Sequence, residues 1–392
     1  MRTINSTLGF GLGLALCLNA ATPAPAKAPF ATDAAALRKA SAEVLFWTEA
    51  QRDRNFRAME TIFPTHVIHS GTAVRALPAG TPLPVDRATI DAFLDRNGGA
   101  GLIVLQDGKV RMEVYKRGFT ADQRWTSFSV AKSVTSTLIG IAAAQGKLRV
   151  DDPVTRFVPE LRRSGYDGVT VRQVLTMSSG VKWNEDYTDS RSDVARMFAD
   201  PVVPGRDITA AYLARLPRAA APGTTWSYNT AETNLAGVIL RRAVGMSLAS
   251  YAERNLWRPF GFEADAFWQV DPNGQEVAGC CLSMRLRDYA RVGEFMRLGG
   301  RAGGRRIVPA DWIAQATAMR HVFPGGTSGY GYFWWTAPSH YEAVGIFGQG
   351  IYVDPARRVV IALVSNAATA TDDRRSAERK AFYAMIAEAA AR

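Results

Sequence analysis

The amino-acid sequence predicts an α/β protein that combines an antiparallel sheet, flanked by helices, with a mainly helical domain. The prediction rests on two β-hairpin patterns at opposite ends of the chain, near residues 101–115 and 350–364. Residues 150–290, by contrast, have the patterns of helices and irregular connections, with no convincing strand. Strands at both ends with helices between them favour one domain built from both termini around an inserted helical domain. We therefore expect an α/β domain at residues 29–125 and 299–392 and a mainly helical domain at residues 126–298.

The composition is that of a globular protein. The chain has 392 residues, of which 47% are hydrophobic and 21% charged, so it can bury one or two ordinary cores. These values exclude disorder, collagen and coiled coil. The formal net charge is +11, but the Lys and Arg residues are scattered and no recognised binding motif organises them. We therefore expect a solvated basic surface and no nucleic-acid partner.

The cysteines are too few to build a disulfide framework, because the chain has only 3 of them. Cys280 and Cys281 are neighbours in the chain, where a mutual bridge is strained and rarely forms. We therefore expect two buried thiols, and a fold that depends on packing alone.

The first residues of the chain have the pattern of a signal peptide. Arg2 precedes an apolar stretch at residues 8–18, and a small-residue site follows at residues 26–28. The apolar stretch is too short to span a bilayer, and no later apolar run reaches membrane length. We expect residues 1–28 to be removed on export, which leaves a periplasmic or secreted protein with no integral membrane segment.

The next part of the chain predicts a helix, an extended arm and a hairpin. Residues 33–62 have helix-forming composition with apolar side chains at helical spacing, which predicts one long helix. Residues 64–87 are rich in Pro and Gly and predict an arm that crosses the surface. The strand patterns at 101–105 and 109–115 flank an Asp-Gly pair at residues 107–108, a strong signal for a two-residue turn.

Helical patterns dominate the middle of the chain. Residues 129–145 carry a single apolar stripe, and Gly146 is placed to end this helix. Further helices are expected at residues 231–244 and 287–298. A second hairpin and a final helix are expected near the C terminus, at residues 350–354, at residues 359–364 and from about residue 376.

Ser129 and Lys132 form a Ser-x-x-Lys motif at the start of a predicted helix. Residues three apart on a helix share one face, roughly 5–6 Å apart at Cβ, so the lysine amine can reach the serine hydroxyl. The pair can act as a nucleophile and its activator if burial lowers the pKa of the lysine from about 10.4 towards neutrality. The free N–H groups at the start of the helix can receive an oxyanion. A capping serine beside a solvated lysine has the same pattern, so the motif needs support from elsewhere in the chain.

Further motifs supply that support. In chain order they are Gln173-Val-Leu-Thr-Met-Ser-Ser-Gly180, Asn184-Glu-Asp-Tyr187, Pro222-Gly223 with Tyr228, Arg287-Asp-Tyr-Ala-Arg-Val-Gly293, and Ala343-Val344-Gly345-Ile346 followed by Gly348-Gln349. With them, the chain resembles the serine hydrolases of the class C β-lactamase, DD-peptidase and family VIII esterase group, and in particular the 6-aminohexanoate-dimer (nylon oligomer) hydrolases. The resemblance covers most of residues 95–392. It implies a β-lactamase/transpeptidase-like fold with the active site at the interface of the two domains.

The resemblance also implies a role for each matching residue. Ser129 would be the acylated nucleophile, Lys132 its proton acceptor, and Tyr228 the second acid/base group, which serves the leaving amine or alkoxide. The backbone N–H groups of Ser129 and Ile346 would form the oxyanion hole. The residues expected to contact the substrate are Tyr187, Thr230 and Gly345. The implied protein is a cofactor-free serine hydrolase that cleaves a small ester or amide through an acyl-enzyme.

Two departures from the β-lactamase pattern bear on the substrate. Thr230 stands where β-lactamases carry the amide of Tyr-x-Asn, and Ala343 stands where they carry Lys or His. Without that cation a β-lactam carboxylate loses its usual partner, so the departures favour an esterase or amidase. A β-lactamase or D-amino-acid peptidase remains an alternative, as does a non-catalytic sensor or peptidoglycan-binding relative.

Competing signals are weaker. His66 and His69 are spaced like a metal pair, but the chain has only 4 histidines and no Asp or Glu completes a zinc signature. No Gly-x-Ser-x-Gly elbow is present, which argues against an α/β-hydrolase. We expect no metal and no cofactor.

Overall fold

A computed structural model describes residues 34–201 and 206–392. The predicted signal peptide at residues 1–28 lies outside the described residues. The α-helices are α1 (Ala34–Glu43), α2 (Glu49–Asn55), α3 (Arg87–Arg96), α4 (Val130–Ala144), α5 (Val154–Phe157), α6 (Val171–Leu175), α7 (Asp193–Ala199), α8 (Ile208–Leu213), α9 (Thr230–Val244), α10 (Leu248–Ala252), α11 (Arg258–Phe260), α12 (Leu286–Arg297), α13 (Ala310–Ala316) and α14 (Asp373–Ala390). The strands are β1 (Thr65–Ile68), β2 (Gly99–Gln106), β3 (Lys109–Tyr115), β4 (Trp125–Thr126), β5 (Ala266–Gln269), β6 (Leu282–Met284), β7 (Arg301–Ala302), β8 (Arg305–Arg306), β9 (His321–Val322), β10 (Gly329–Tyr330), β11 (Trp335–Thr336), β12 (Tyr341–Gly345), β13 (Gln349–Asp354) and β14 (Val359–Ser365). Across this part of the chain, none of the helices is both long enough and apolar enough to span a membrane.

The largest sheet joins the two ends of the chain. Its eight strands follow the order β3-β2-β14-β13-β12-β11-β10-β9, and each neighbouring pair is antiparallel. Strand β2 pairs directly with β14, so that Ile103 lies opposite Ala362. Asp107 and Gly108 have positive φ values of 52° and 74°, as the two-residue turn between β2 and β3 requires. Both predicted hairpins are therefore confirmed.

Helices cover both faces of this sheet. On one face, α3 and α14 share a core in which the rings of Phe93 and Phe382 stack with centroids 3.6 Å apart. On the other face, α12 packs against β14, β13 and β2. Leu102 belongs to the first core and Ile103 to the second, which is the alternation expected of a strand buried on both faces. The predicted antiparallel sheet with flanking helices is confirmed.

Helix α4 is the central helix of the remaining structure. Every residue from Val130 to Ala142 is buried, and α9 packs along the helix. The buried residues include polar ones such as Lys132, Ser133 and Thr135, so more of the helix is buried than the single apolar stripe expected from the sequence. The helices expected at residues 231–244 and 287–298 are confirmed as α9 and α12. Helix α12 packs on the large sheet although it falls within residues 126–298, and the division into domains stays a prediction.

The prediction of one long helix over residues 33–62 is wrong. The chain forms α1 and α2 instead, and a capping box at Thr48 starts the second of them. The Thr48 side chain accepts a hydrogen bond from the Gln51 N–H, and the Gln51 side chain accepts one from the Thr48 N–H. The last helix likewise begins slightly before the expected residue 376, because the Asp372 side chain caps it by accepting from the Arg375 N–H.

The expectation that residues 150–290 contain no strand is also wrong. Strands β5 and β6 lie in this region and form a second sheet with the order β1-β5-β6-β4. Both strands are short and almost wholly buried, so neither shows an alternating pattern. Their partners β1 and β4 come from the N-terminal part of the chain, and a local pattern does not record such a pairing. Strand β1 also occupies the start of the segment that the sequence predicts as an extended arm.

Candidate active site

Ser129 lies in a tight turn between β4 and α4. The preceding residue, Phe128, has a φ of 43°, a backbone conformation that costs an ordinary residue about 1–3 kcal/mol. Packing holds Phe128 in place, since its ring contacts those of Phe56 and Phe347 with centroids 4.9 and 5.5 Å away. The N–H of Ser127 donates to a carbonyl of β6 over 2.9 Å. The second sheet, which the sequence did not indicate, therefore anchors the turn that carries the serine.

Lys132 follows one turn later on α4, as the Ser-x-x-Lys motif predicts. Its Nζ lies 2.8 Å from Ser129 Oγ, 3.0 Å from Thr230 Oγ1 and 2.8 Å from the carbonyl oxygen of Gly279. The side chain is buried. Burial lowers the pKa of the Lys132 amine to about 8, and the negative charge of Glu185 acts in the opposite direction. A substantial part of this amine is therefore neutral near pH 8 and able to accept a proton.

Tyr228 stands beside this pair, on the segment that leads into α9. Lys132 Nζ lies 5.2 Å from the centroid of its ring, and the ring stacks on Trp335 with centroids 5.7 Å apart. Desolvation raises the pKa of the Tyr228 phenol and the charge of Glu185 adds to the shift, whereas a hydrogen bond with Ser129 opposes it. The phenol is therefore protonated at neutral pH, which is the state needed to donate a proton to a leaving group.

Gly345 and Ile346 end strand β12 next to the serine turn. A Cβ on Gly345 would lie 2.6 Å from the carbonyl oxygen of Ser127 and 3.2 Å from Cβ of Phe128. Only glycine therefore allows the strand to come this close to the turn. Ile346 and Ser129 line the same cavity, and the oxyanion hole expected of their N–H groups stays a prediction. The expected substrate contact at Gly345 stays a prediction. The close approach of the backbone explains the presence of a glycine at this position without such a contact.

Two cavities meet at Ser129. The larger, of about 300 Å³, is also lined by Tyr187, Tyr228 and Ile346, and it extends to the start of α14. The smaller, of about 60 Å³, is mostly apolar. Its aliphatic and phenylalanine lining consists of Ala42, Val44, Leu45, Phe128, Val194, Ala195, Phe198 and Ile346. Both cavities have mostly apolar walls, and the larger one also has charged side chains in its lining.

The larger cavity contains cations that the sequence analysis did not identify. Ala343, where β-lactamases carry Lys or His, is fully buried. The basic residues that line the cavity are instead Arg375 and Arg379 of α14. Arg375 donates to the carbonyl oxygen of Thr369 over 3.1 Å, and Arg379 lies 3.7 Å from a carboxylate oxygen of Glu342. Strand β12 therefore carries no cation beside the nucleophile, but a neighbouring helix brings two to the cavity.

Thr230 and Tyr187 both contact Glu185, a residue to which the sequence analysis gave no role. The Thr230 hydroxyl is buried between Lys132 Nζ and the Glu185 carboxylate, so it is engaged with the protein rather than free for a substrate. The Tyr187 hydroxyl donates to Glu185 Oε1 over 2.8 Å, and its contact with a substrate stays a prediction. Glu185 lies in the motif that supplied Tyr187, which is the signal that could have identified it.

The expectation of two buried thiols at Cys280 and Cys281 is wrong, because the two side chains form a disulfide. Cys281 has a φ of 68°, in the left-handed region. Both residues line the smaller cavity beside Ser129. The disulfide therefore forms part of the wall of the candidate site.

No group of three or more potential metal ligands occurs among the residues that the structure describes. The two histidines spaced like a metal pair contact different carboxylates. His66 Nδ1 lies 2.7 Å from Glu276, and His69 Nδ1 lies 3.2 Å from Asp265.

The fold and the site together define a class of protein. A buried helix that begins with Ser-x-x-Lys, beside an antiparallel sheet and facing a tyrosine, is the arrangement of β-lactamases and penicillin-binding proteins. The chain belongs to the Beta-lactamase family, whose family model matches residues 87–385. This confirms the family resemblance and the β-lactamase/transpeptidase-like fold that it implies.

Individual relatives indicate the range of this family. The chain is 30% identical over 357 residues to the 6-aminohexanoate-dimer hydrolase of Paenarthrobacter ureafaciens. This alignment covers 82% of this chain and 87% of the relative. It is 30% identical over 246 residues to esterase EstB of Burkholderia gladioli, in an alignment that covers 54% of this chain and 61% of the relative. A solved structure from Bacillus anthracis, assigned provisionally as a 6-aminohexanoate-dimer hydrolase, superposes with a TM-score of 0.71 at 20% identity and covers 93% of this chain and 98% of that one. The last similarity shows the fold, and the first two show a hydrolase family with esterase and amidase relatives.

The proximity of Gly345 to the serine turn leads to a first prediction. In Gly345→Ala the new Cβ would press on Ser127, so β12 must move away and carry the Ile346 N–H with it. Since one oxyanion-hole donor is worth about 2.7–4 kcal/mol, we expect kcat to fall by roughly tenfold or more while KM changes little. Steady-state kinetics on a chromogenic ester measure both constants. An unchanged kcat would show that the close approach does not position the oxyanion hole.

The contacts of Lys132 lead to a second prediction. Lys132→Ala and Tyr228→Phe should each lower kcat by ~10²–10⁴-fold, and the double variant should lose far less than the product of the two losses, because both groups serve one proton relay. In the wild type, kcat/KM should rise with pH through an apparent pKa near 8, since the neutral amine is the active form. Two independent, multiplying losses would count against a shared relay.

Proposed function

We propose that the protein is a serine hydrolase that cleaves a small ester or amide through an acyl-enzyme on Ser129. The observation that carries the proposal is the 2.8 Å contact between the Ser129 hydroxyl and the buried Lys132 amine. The hydroxyl of a free serine is a weak nucleophile, and an adjacent base activates it by accepting its proton. With its pKa lowered to about 8, Lys132 can accept that proton near neutral pH.

Each proton in the proposed reaction has a donor and an acceptor. Ser129 Oγ attacks the substrate carbonyl carbon and passes its proton to Lys132 Nζ, while the Ser129 and Ile346 N–H groups bind the oxyanion. The Tyr228 phenol then gives its proton to the leaving alkoxide or amine, and the Lys132 ammonium reprotonates the phenolate. In the second half, water attacks the acyl-enzyme, gives up one proton to the same relay, and the acid is released as Ser129 recovers its hydroxyl.

An esterase or amidase is preferred over a β-lactamase because β12 carries no cation beside Ser129. The relatives named above include a hydrolase of an amide and an esterase. A β-lactamase or D-amino-acid peptidase is the second candidate, and the observation that favours it is the presence of Arg375 and Arg379 in the larger cavity. The proposed chemistry requires no metal or cofactor, and we propose from residues 1–28 that the protein is exported.

A third prediction tests the nucleophile directly. Ser129→Ala should abolish ester hydrolysis while leaving the thermal unfolding midpoint nearly unchanged, because the hydroxyl acts in the transition state rather than in packing. A fluorophosphonate should add one covalent mass to the wild type, and peptide mass spectrometry should locate it on Ser129. Labelling of another residue, or none at all, would contradict the assignment.

A fourth prediction concerns the choice of substrate. Short-chain p-nitrophenyl esters should be hydrolysed with a much higher kcat/KM than a chromogenic cephalosporin, because the carboxylate of a cephalosporin finds no cation on β12. An unpaired carboxylate of this kind costs about 1.5–3 kcal/mol relative to a paired one, or roughly tenfold to more than a hundredfold in rate. Equal rates in the wild type would make β-lactamase the leading candidate, and Arg375→Gln would then test whether α14 supplies the missing charge.

A further inference from the structure

We propose that Glu185 is a positioning residue that holds the Lys132 amine with its lone pair towards Ser129, and that it acts through the hydroxyl of Thr230. The inference deepens the proposed function and rests on it. Glu185 itself does not touch the nucleophile. Its effect passes along one chain of hydrogen bonds, from the carboxylate to Thr230 and from Thr230 to Lys132.

The contacts of Glu185 require both of its oxygens to be acceptors. Oε1 accepts from the hydroxyl groups of Thr230 and Tyr187, and Oε2 accepts from the Thr230 backbone N–H over 3.0 Å and from the indole N–H of Trp183. A carboxylate has acceptor sites for all four donors, whereas an amide would turn its NH₂ group towards two of them. In Glu185→Gln the NH₂ group would face the two hydroxyls, which would then accept, and the Thr230 proton would be free to turn towards Lys132.

This arrangement determines where the Thr230 proton lies. A threonine hydroxyl has one proton, and here it is given to Glu185, so towards Lys132 the oxygen can only accept. The carbonyl oxygen of Gly279, at 2.8 Å from Nζ, can also only accept. Lys132 must therefore donate one N–H to each of them.

The remaining direction at Nζ points to Ser129. A neutral amine has two N–H groups and one lone pair, and with both N–H groups committed the lone pair faces Ser129 Oγ at 2.8 Å. After the proton transfer the ammonium has three N–H groups for the same three oxygens, so no side chain has to move. The site is thus organised in advance for both states of the base, and this lowers the reorganisation required during the reaction.

The negative charge of Glu185 adds an electrostatic effect. It raises the pKa of the Lys132 amine and so opposes the effect of burial. The other titratable groups that face these two side chains are Tyr228, from the segment before α9, and Tyr187, from the same loop as Glu185; Tyr330 stands behind Tyr228. All three are phenols whose pKa is raised, so they stay neutral across the pH range of interest, and Glu185 is the charged partner of the lysine.

The experiment compares four variants of the full protein with the wild type. Glu185→Gln removes the negative charge and replaces one of the two acceptor oxygens with an NH₂ group, which donates. Thr230→Val removes the hydroxyl at nearly constant shape, and Thr230→Ser keeps the hydroxyl. Asp186→Asn removes a charge from the next residue, whose carboxylate contacts Thr188 and the Asp189 backbone in its own loop, and is the matched control. For each we measure kcat and KM on a p-nitrophenyl ester as a function of pH, the rate of fluorophosphonate labelling of Ser129, and the unfolding midpoint.

We expect Glu185→Gln and Thr230→Val to lower kcat and the labelling rate by about tenfold or more, since a positioned general base is worth ~10²–10⁴-fold. KM should change little. The apparent pKa of kcat/KM should move to lower pH by roughly one unit in Glu185→Gln, because loss of the negative charge disfavours the ammonium. Thr230→Ser should recover most of the activity that Thr230→Val loses, and Asp186→Asn should keep the wild-type pH profile.

Several outcomes would overturn the inference. Wild-type kcat and pH profile in Glu185→Gln would do so, and so would equal activities of Thr230→Val and Thr230→Ser. If Glu185→Gln does not fold, the comparison of the two Thr230 variants decides alone. A wild type that neither hydrolyses the ester nor labels at Ser129 would instead refute the proposed function, and the inference with it. The two failures are therefore distinguishable.

Discussion

The burial of the Lys132 amine is the constraint on which the candidate site depends. An amine taken out of water must find hydrogen-bond partners within the protein, and Lys132 finds three, in the turn before α4, on α9 and just before β6. These partners are far apart in the chain, so they meet only when α4, α9 and the second sheet have packed together. The same burial lowers the pKa of the amine to about 8. Packing thus lowers the pKa of the Lys132 amine as well as fixing its position.

The large sheet brings a second element of the candidate site to the serine turn. Strand β12 lies inside the eight-stranded sheet, between β11 and β13, and its end meets the serine turn at Gly345. Because neighbouring strands hold β12 on both sides, the N–H of Ile346 is carried on a rigid element rather than on a free loop. The serine turn is held equally firmly by the rings around Phe128. The proposed mechanism needs oxyanion donors that are fixed before the charge develops, and these contacts restrain the segments that carry them.

We expect the walls of the two cavities to determine which substrates bind. Ser129 and Lys132 are buried side chains on a fold that proteins of many functions can share. Around them, one cavity is apolar and partly walled by the disulfide of Cys280 and Cys281, and the other includes Arg375 and Arg379. The two arginines of α14 already have partners within the protein, since Arg375 donates to Thr369 and Arg379 lies beside Glu342. The family can therefore keep its reaction while changing what it binds.

The sequence by itself determined the features that depend on neighbours in the chain. Both hairpins follow from turn chemistry and strand patterns, α4 follows from its apolar residues, and the reach of Lys132 to Ser129 follows from helical spacing. Tyr228 and Ile346 were found because their order along the chain matches a family pattern. Only the tertiary structure decided that β5 and β6 form strands, that Arg375 and Arg379 line the cleft, and that Glu185 contacts Thr230, 45 residues away. The physical reason is that these contacts join residues far apart in the chain, so no local periodicity records them; the motif at residues 184–187 marks Glu185 but not its partner.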